Sequence, residues 1–257
     1  MKSSNLKRKL MNGSLCLGSW ISLGHPAIAE IFANAGFEWV VVDLEHSTIT
    51  IERAGELIRT IDLAGSVPLV RLTSNDINLI KRVMDAGAHG IVVPNVNTPE
   101  EAAGAVSATR YAPEGTRGVG LARAQGYGPG FKTYLEWQKT EPIVIVQIEH
   151  VAALGRLEEI FAMPGVDGFI IGPYDLSCSM GIPGEFDNPD FTDAMDRILQ
   201  TGLTMGCPAG LHIVEPDTNR LREVVDQGYQ LIAYSVDIRM LDVAARHGVN
   251  LMKTLAI

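Results

Sequence analysis

Residues 143–149 read IVIVQIE and residues 169–175 read FIIGPYD, two apolar runs that each end at a carboxylate. Uninterrupted apolar runs of this length are typical of buried parallel strands. In an α/β barrel, the carboxyl ends of the strands form the mouth where active sites lie. We therefore expect Glu149 and Asp175 to lie together at a barrel mouth and to hold a cation, which indicates a metal-dependent enzyme.

The rest of the chain repeats this alternation of strand and helix without a change of composition. Eight strands are predicted, at residues 15–20, 39–43, 68–72, 90–93, 143–148, 168–171, 207–211 and 230–235. Helical periodicity predicts helices at residues 26–35, 51–64, 77–86, 99–109, 152–161, 192–201 and 218–227, with Thr50 and Thr98 as N-caps. Residues 111–141 are expected to form a long functional loop. The pattern predicts one α/β domain over residues 1–257, a (β/α)8 TIM barrel.

Composition and charge exclude several classes of function. The chain is 46% hydrophobic with 26 glycines, which suits one extensive core. Its net charge of −9 disfavours nucleic acid or an anionic membrane as the partner. No signal-peptide core and no run of about 20 apolar residues occurs, so neither export nor a membrane span is expected. Three cysteines without metal-like spacing fit a reduced compartment, and we expect a cytoplasmic protein.

The predicted strand ends carry further polar side chains. His46 follows the second strand, Arg71 lies in the third, and Gln147 lies in the fifth. Oxygen ligands such as Glu149 and Asp175 suit Mg²⁺, with Mn²⁺ or Co²⁺ as replacements. A guanidinium beside them favours an anionic substrate, and a 2-keto acid satisfies both the cation and the arginine. Imidazole titrates near neutral pH, so His46 is the predicted proton shuttle.

The lysines restrict the mechanism. The chain has seven lysines, and none of them lies at the end of a predicted strand. They are Lys2, Lys7, Lys9, Lys81, Lys132, Lys139 and Lys253. A Schiff base would need a lysine there, so the metal is expected to act as the electrophile that polarises the carbonyl. The segments after the seventh and eighth strands lack paired glycine-rich turns, which favours an unphosphorylated substrate.

Several segments together resemble the HpcH/HpaI family of class II pyruvate aldolases, namely residues 35–46, 110–120, 147–149 and 165–177. The resemblance extends over residues 18–235. It implies that Glu149 and Asp175 bind the metal, and that Arg71 stabilises the pyruvate enolate. It also implies that Gln147 positions pyruvate, while the backbone of Pro173-Tyr174 is expected to hold the substrate carboxylate.

The resemblance further implies a dyad of His46 and Asp85 that takes the proton of the substrate's 4-hydroxyl group through water. Members are typically hexamers built from dimers that exchange a helix, so we expect a homo-oligomer, a hexamer or trimer of dimers. Leu44, Gln125 and His150 depart from the residues usual in the family. For the aldehyde half of the pocket the candidates are Trp20, Arg123, Leu211 and His212.

We therefore expect an aldolase that reversibly cleaves a 4-hydroxy-2-oxo acid into pyruvate and an aldehyde, with small molecules as its partners. Two alternatives remain open. An acyl-CoA lyase like citrate lyase or malyl-CoA lyase would need a basic cluster at the barrel mouth, and none is found in the sequence. A non-catalytic protein that binds 2-keto acids would bind pyruvate without exchanging its methyl protons.

Overall fold

The computed structural model describes residues 5–255 around a closed barrel of parallel strands paired in sequence order, β1 to β8. The strands are β1 Cys16–Ile21, β2 Trp39–Asp43, β3 Val67–Arg71, β4 Gly90–Val93, β5 Ile143–Ile148, β6 Gly168–Ile171, β7 Ala209–Ile213 and β8 Leu231–Val236. The pairing of β8 with β1 closes the barrel. The predicted (β/α)8 fold is confirmed, and most predicted strand ends lie within one residue of the observed ones; those of β7 differ by two residues.

Helices surround the barrel and return the chain to the start of each next strand. They are α1 Asn5–Met11, α2 Pro26–Ala35, α3 Ile51–Leu63, α4 Ile77–Ala86, α5 Pro99–Thr109, α6 Phe131–Thr140, α7 Leu157–Phe161, α8 Pro173–Ser179, α9 Pro189–Met205, α10 Thr218–Asp226 and α11 Asp237–Leu255. Both predicted N-caps are confirmed, since the side chains of Thr50 and Thr98 accept backbone N–H bonds from the first turns of α3 and α5. No helix within residues 5–255 is long and apolar enough to cross a membrane.

Helices α1, α8 and α11 are not among the predicted helices, and two segments differ from the conformation expected for them. Residues 111–141, predicted as a loop, contain α6, whose Tyr134 and Trp137 are buried. The helix predicted at 152–161 is instead a 3₁₀ turn, Val151–Gly155, followed by the short helix α7. In both cases tertiary burial decides the backbone conformation, which local periodicity does not reveal.

The core has two layers, as the barrel requires. The larger layer lies between the strands and the surrounding helices. The second fills the barrel interior, with Trp20 and Trp39 as its largest side chains. Gly18 allows this packing, because a Cβ there would lie 2.2 Å from the Trp39 ring. The interior is thus filled below the mouth, where the strand ends position the polar residues.

Candidate active site

A cavity of about 480 Å³ opens at the carboxyl ends of the strands. Its lining comes from seven of the eight strands, all but β4, and from the segments that follow them. The predicted site residues that line it are Trp20, His46, Arg71, Gln147, Pro173, Tyr174, Asp175 and His212, and they are joined by Asp43. The closed barrel thus brings together side chains that are far apart in the sequence.

Arg71 is held in a fixed orientation by its neighbours. The register of β2 and β3 pairs Asp43 with Arg71, and the side chains form a bidentate ion pair. Nε donates to Asp43 Oδ1 at 2.9 Å and NH2 donates to Oδ2 at 2.7 Å. Burial opposes the charge of Arg71, but the bond and the attraction to Asp43 raise its pKa above the usual value. NH1 lies 3.3 Å from Glu45 and makes no hydrogen bond within residues 5–255.

The pairing with Asp43 was not predicted. Asp43 ends its strand next to His46 in the sequence, but only the register of β2 and β3 reveals its contact with Arg71. Its Oδ1 also accepts the backbone N–H of Glu45 at 3.0 Å, which fixes the start of the following loop. Asp43 therefore orients the guanidinium and the segment that carries His46.

Glu149 is buried just beyond the end of β5. Its Oε1 accepts the backbone N–H of Asn95 at 2.6 Å, and its Oε2 accepts the side-chain amide of Gln147. Asn95 reaches this position with a φ of +52°, a conformation that asparagine tolerates better than most residues. Burial raises the pKa of Glu149, and the negative charge of Asp175 adds to the effect.

Asp175 lies in the first turn of α8, where its carboxylate makes no hydrogen bond or ion pair within the described part of the chain. Glycine precedes this helix for a steric reason, since a Cβ at Gly172 would lie 2.6 Å from Glu149 Oε2. The absence of a side chain at Gly172 thus lets Glu149 pack against the backbone that leads into Asp175.

Four carboxylates, those of Asp43, Glu45, Glu149 and Asp175, share the mouth with the guanidinium of Arg71. Burial raises the pKa of Glu45 to about 7; Arg71 opposes this rise, and the other three carboxylates add to it. Residues 5–255 contain no group of three or more His, Cys, Asp or Glu side chains arranged around a metal position. Two carboxylates nevertheless suffice for Mg²⁺, which keeps several water ligands. The excess negative charge and the oxygen donors therefore fit a divalent cation.

Other predicted residues lie at the rim of the cavity or beside it. His46 is largely exposed, with Nε2 3.9 Å from Glu45 Oε2. Tyr174 is exposed at the rim and packs edge-on against Phe186. Leu211 is buried in β7 and lines a neighbouring groove rather than this cavity.

Besides Leu211, three residues predicted for the site do not line this cavity. Glu149 adjoins it behind Gln147 and Gly172, whereas Asp85 and Arg123 lie elsewhere. Asp85, near the end of α4, accepts a hydrogen bond from Arg117 at 2.7 Å. Barrel helices run back toward the amino ends of the strands, so the end of α4 lies away from the mouth. Arg123 forms an ion pair with Asp62 and lines a separate pocket beside α3. Within one chain, His46 and Asp85 therefore form no dyad, and Arg123 does not reach the pocket.

Comparison with known proteins identifies similar chains. The sequence model described as HpcH/HpaI aldolase/citrate lyase matches residues 17–243. A pyruvate aldolase from Rhizobium etli is 39% identical over 239 residues, 93% of either chain. A hydroxypyruvate/pyruvate aldolase from Roseobacter denitrificans is 35% identical over 93% of either chain. The crystal structure of an HpcH/HpaI aldolase/citrate lyase family protein from Burkholderia cenocepacia superimposes with a TM-score of 0.91 at 35% identity, covering 98% of this chain and 100% of that one.

Glu45→Gln is expected to stabilise the protein at pH 8 in the presence of a chelator by about 1–2 kcal/mol. The folded pKa of about 7 exceeds the ordinary value of 4.5, so the folded wild type binds an extra proton between these pH values. Its stability therefore falls as pH rises through that range, and the glutamine variant avoids the loss. Urea unfolding at pH 5 and pH 8 measures the difference. Glu30→Gln, at an exposed position of α2, is the control, and a larger gain at pH 5 would contradict the account.

Proposed function

Because the chain belongs to the HpcH/HpaI aldolase/citrate lyase family, we propose that it is a divalent-metal-dependent aldolase that reversibly cleaves a 4-hydroxy-2-oxo acid into pyruvate and an aldehyde. One observation carries the proposal: a guanidinium suited to an anion and the carboxylate of Asp175 line one cavity of about 480 Å³, and the carboxylate of Glu149 adjoins it through a hydrogen bond with the lining residue Gln147. A 2-keto acid has the carboxylate and the keto oxygen that such a pair of sites would bind. The names of the similar aldolases agree with this substrate class.

Glu149 and Asp175 would hold the cation, with Mg²⁺ or Mn²⁺ as the first candidates and Co²⁺ as a replacement. When bound, the cation would supply Lewis-acid polarisation of the keto group. Gln147 donates to Glu149 and so fixes the orientation of that carboxylate. A Schiff base could not take the place of the cation, since the cavity lining within residues 5–255 contains no lysine.

Arg71 stabilises negative charge that develops on the substrate oxygen during cleavage. Its orientation is set in advance by Asp43, so little reorganisation accompanies the reaction. Pro173 and Tyr174 form the adjoining wall at the start of α8, where first-turn backbone N–H groups lack helical partners. Proline has no N–H, so the amide of Tyr174 is the first candidate to bind the substrate carboxylate.

His46 accepts the proton of the 4-hydroxyl group in this proposal, since an imidazole at the cavity rim is open to substrate and water. Asp85 of the same chain lies away from the cavity and is paired with Arg117. We infer that the Asp85 of a neighbouring subunit completes the dyad. Assembly would then be a condition for full activity.

Helix α11 supports the homo-oligomer. Of its 19 residues only Asp237 is buried, and its apolar side chains Leu241, Val249, Leu251, Met252 and Leu255 are exposed. An amphipathic helix ordinarily buries its apolar face. We propose that the barrel of a second copy covers this face, in keeping with helix exchange.

The cavity chemistry favours this proposal over the two alternatives. Arg71 is the only arginine or lysine among the cavity residues of the described chain, whereas the phosphates of coenzyme A would need several cations. A protein that only binds 2-keto acids would have no use for a proton acceptor, yet His46 lines the cavity. Catalysis on a small, unphosphorylated acid fits these residues best.

Removal of the cation is expected to abolish cleavage of a panel of 4-hydroxy-2-oxo acids, measured as pyruvate release. EDTA should stop the reaction, and Mg²⁺ or Mn²⁺ should restore it. Glu149→Gln should weaken Mn²⁺ binding more than about 100-fold and abolish turnover. His46→Ala should lower turnover about 10²- to 10⁴-fold with nearly unchanged Mn²⁺ affinity. Glu30→Gln again serves as the control; activity that survives thorough chelation would refute the proposal.

Disruption of the apolar face of α11 is expected to reduce both assembly and activity. The double variant Leu241→Glu with Met252→Glu places charges on that face, so light scattering should report a smaller particle than the wild type. Turnover should fall while Mn²⁺ affinity persists, because only the dyad spans two subunits. Asn250→Glu is the matched control, since nine residues at 3.6 per turn place it opposite Leu241. A monomer with full activity would contradict the shared dyad.

A further inference from the structure

His212, at the carboxyl end of β7, is fixed by an aromatic stack in the candidate active site. Its ring lies nearly parallel to that of Trp20, with centroids 4.7 Å apart and an interplanar angle of 10°. Arg71 contacts the same indole, with the guanidinium carbon 5.4 Å from the ring centroid. The imidazole is therefore anchored through Trp20 near the group that binds the anion, and it lines the same cavity.

A hydrogen bond determines which nitrogen of His212 carries the proton. Nε2 lies 3.1 Å from the carbonyl oxygen of Ser235. A carbonyl oxygen only accepts, so Nε2 must donate. The position of this carbonyl is itself constrained: Ser235 has a φ of +58°, and its hydroxyl donates to the Val214 carbonyl at 2.8 Å. The backbone of β8 thus fixes the tautomer of His212.

The ring is also neutral over the physiological pH range. Burial lowers the pKa of His212 to about 4; the bond to Ser235 opposes this effect, and the positive charge of Arg71 adds to it. A neutral imidazole with its proton on Nε2 has a lone pair on Nδ1. His212 therefore differs from the exposed His46, which serves as the proton acceptor of the reaction.

Nδ1 of His212 has no hydrogen-bond partner within residues 5–255 and is not among their fully enclosed unpaired atoms, so it is accessible from the cavity that the ring lines. An open lone pair beside a substrate cavity pairs with an O–H or N–H donor. Neither pyruvate nor a simple alkyl aldehyde carries such a donor, whereas a hydroxyaldehyde does.

We propose that His212 is a specificity-determining residue, whose Nδ1 accepts a hydrogen bond from a hydroxyl group of the aldehyde. The enzyme then prefers a hydroxyaldehyde to the analogue that lacks the hydroxyl. This inference rests on the proposed aldolase function and adds to it the feature of the aldehyde that the pocket recognises.

Two variants separate the acceptor from the aromatic stack. His212→Phe keeps a flat ring that can stack on Trp20 and removes the acceptor. His212→Asn loses the stack but places its side-chain carbonyl oxygen near the position of Nδ1. Glycolaldehyde and acetaldehyde, each offered with pyruvate, differ by one hydroxyl group. The ratio of their kcat/KM values is compared between enzymes, so that aldehyde hydration in solution cancels.

The wild type is expected to favour glycolaldehyde, and His212→Phe should lower the glycolaldehyde-to-acetaldehyde ratio about five- to tenfold, as loss of one hydrogen bond predicts. His212→Asn should recover much of that ratio even though it loses the stack. The assignment would be overturned if His212→Phe affected both aldehydes equally, or if His212→Asn failed to recover the glycolaldehyde-to-acetaldehyde ratio.

A second experiment separates the role of His212 from the proposed aldolase function. It uses NMR to monitor exchange of pyruvate methyl protons in heavy water without any aldehyde. Wild-type protein that exchanges these protons and shows no loss of discrimination in His212→Phe would refute only the role of His212. Wild-type protein that fails to exchange them in the presence of Mg²⁺ or Mn²⁺ would refute the proposed function and this inference together.

Discussion

Mutual repulsion among the carboxylates at the barrel mouth is the constraint on which the site depends. Closure of the barrel brings Asp43, Glu45, Glu149 and Asp175 to one end, and burial strengthens the interaction between like charges. Asp43 is neutralised by its bidentate pair with Arg71, which makes that guanidinium rigid. Glu149 and Asp175 have no such partner within the described residues. A divalent cation would relieve their repulsion and lower the raised pKa of Glu149.

The fold and the centre of the site follow from the sequence because parallel barrel strands are buried on both faces. Strands β5 and β6 appear as plain apolar runs with the predicted bounds, so the carboxylates that follow them are located as well. Helix α6 was missed because glycines and polar residues around it hide a periodicity that depends on burying Tyr134 and Trp137. The Asp43–Arg71 pair required the register between two strands, which the sequence does not specify.

Other features depend on how separate parts of the protein meet. Asp85 and Arg123 lie outside the cavity of their own chain, although sequence similarity groups them with the site. In the proposed assembly, the exposed apolar face of α11 is covered by a second copy, which would also bring Asp85 to a neighbouring site. The open acceptor on His212 depends on one backbone carbonyl in β8 and on burial against Trp20, neither of which is visible in sequence spacing.

Anomalous diffraction from a crystal soaked with Mn²⁺ and pyruvate would test the central claim most directly. The account predicts one strong peak in contact with both Glu149 and Asp175, with pyruvate oxygens bound at that ion and a pyruvate oxygen within hydrogen-bond distance of Arg71. Absence of a peak at these two carboxylates, or pyruvate bound away from Arg71, would contradict it.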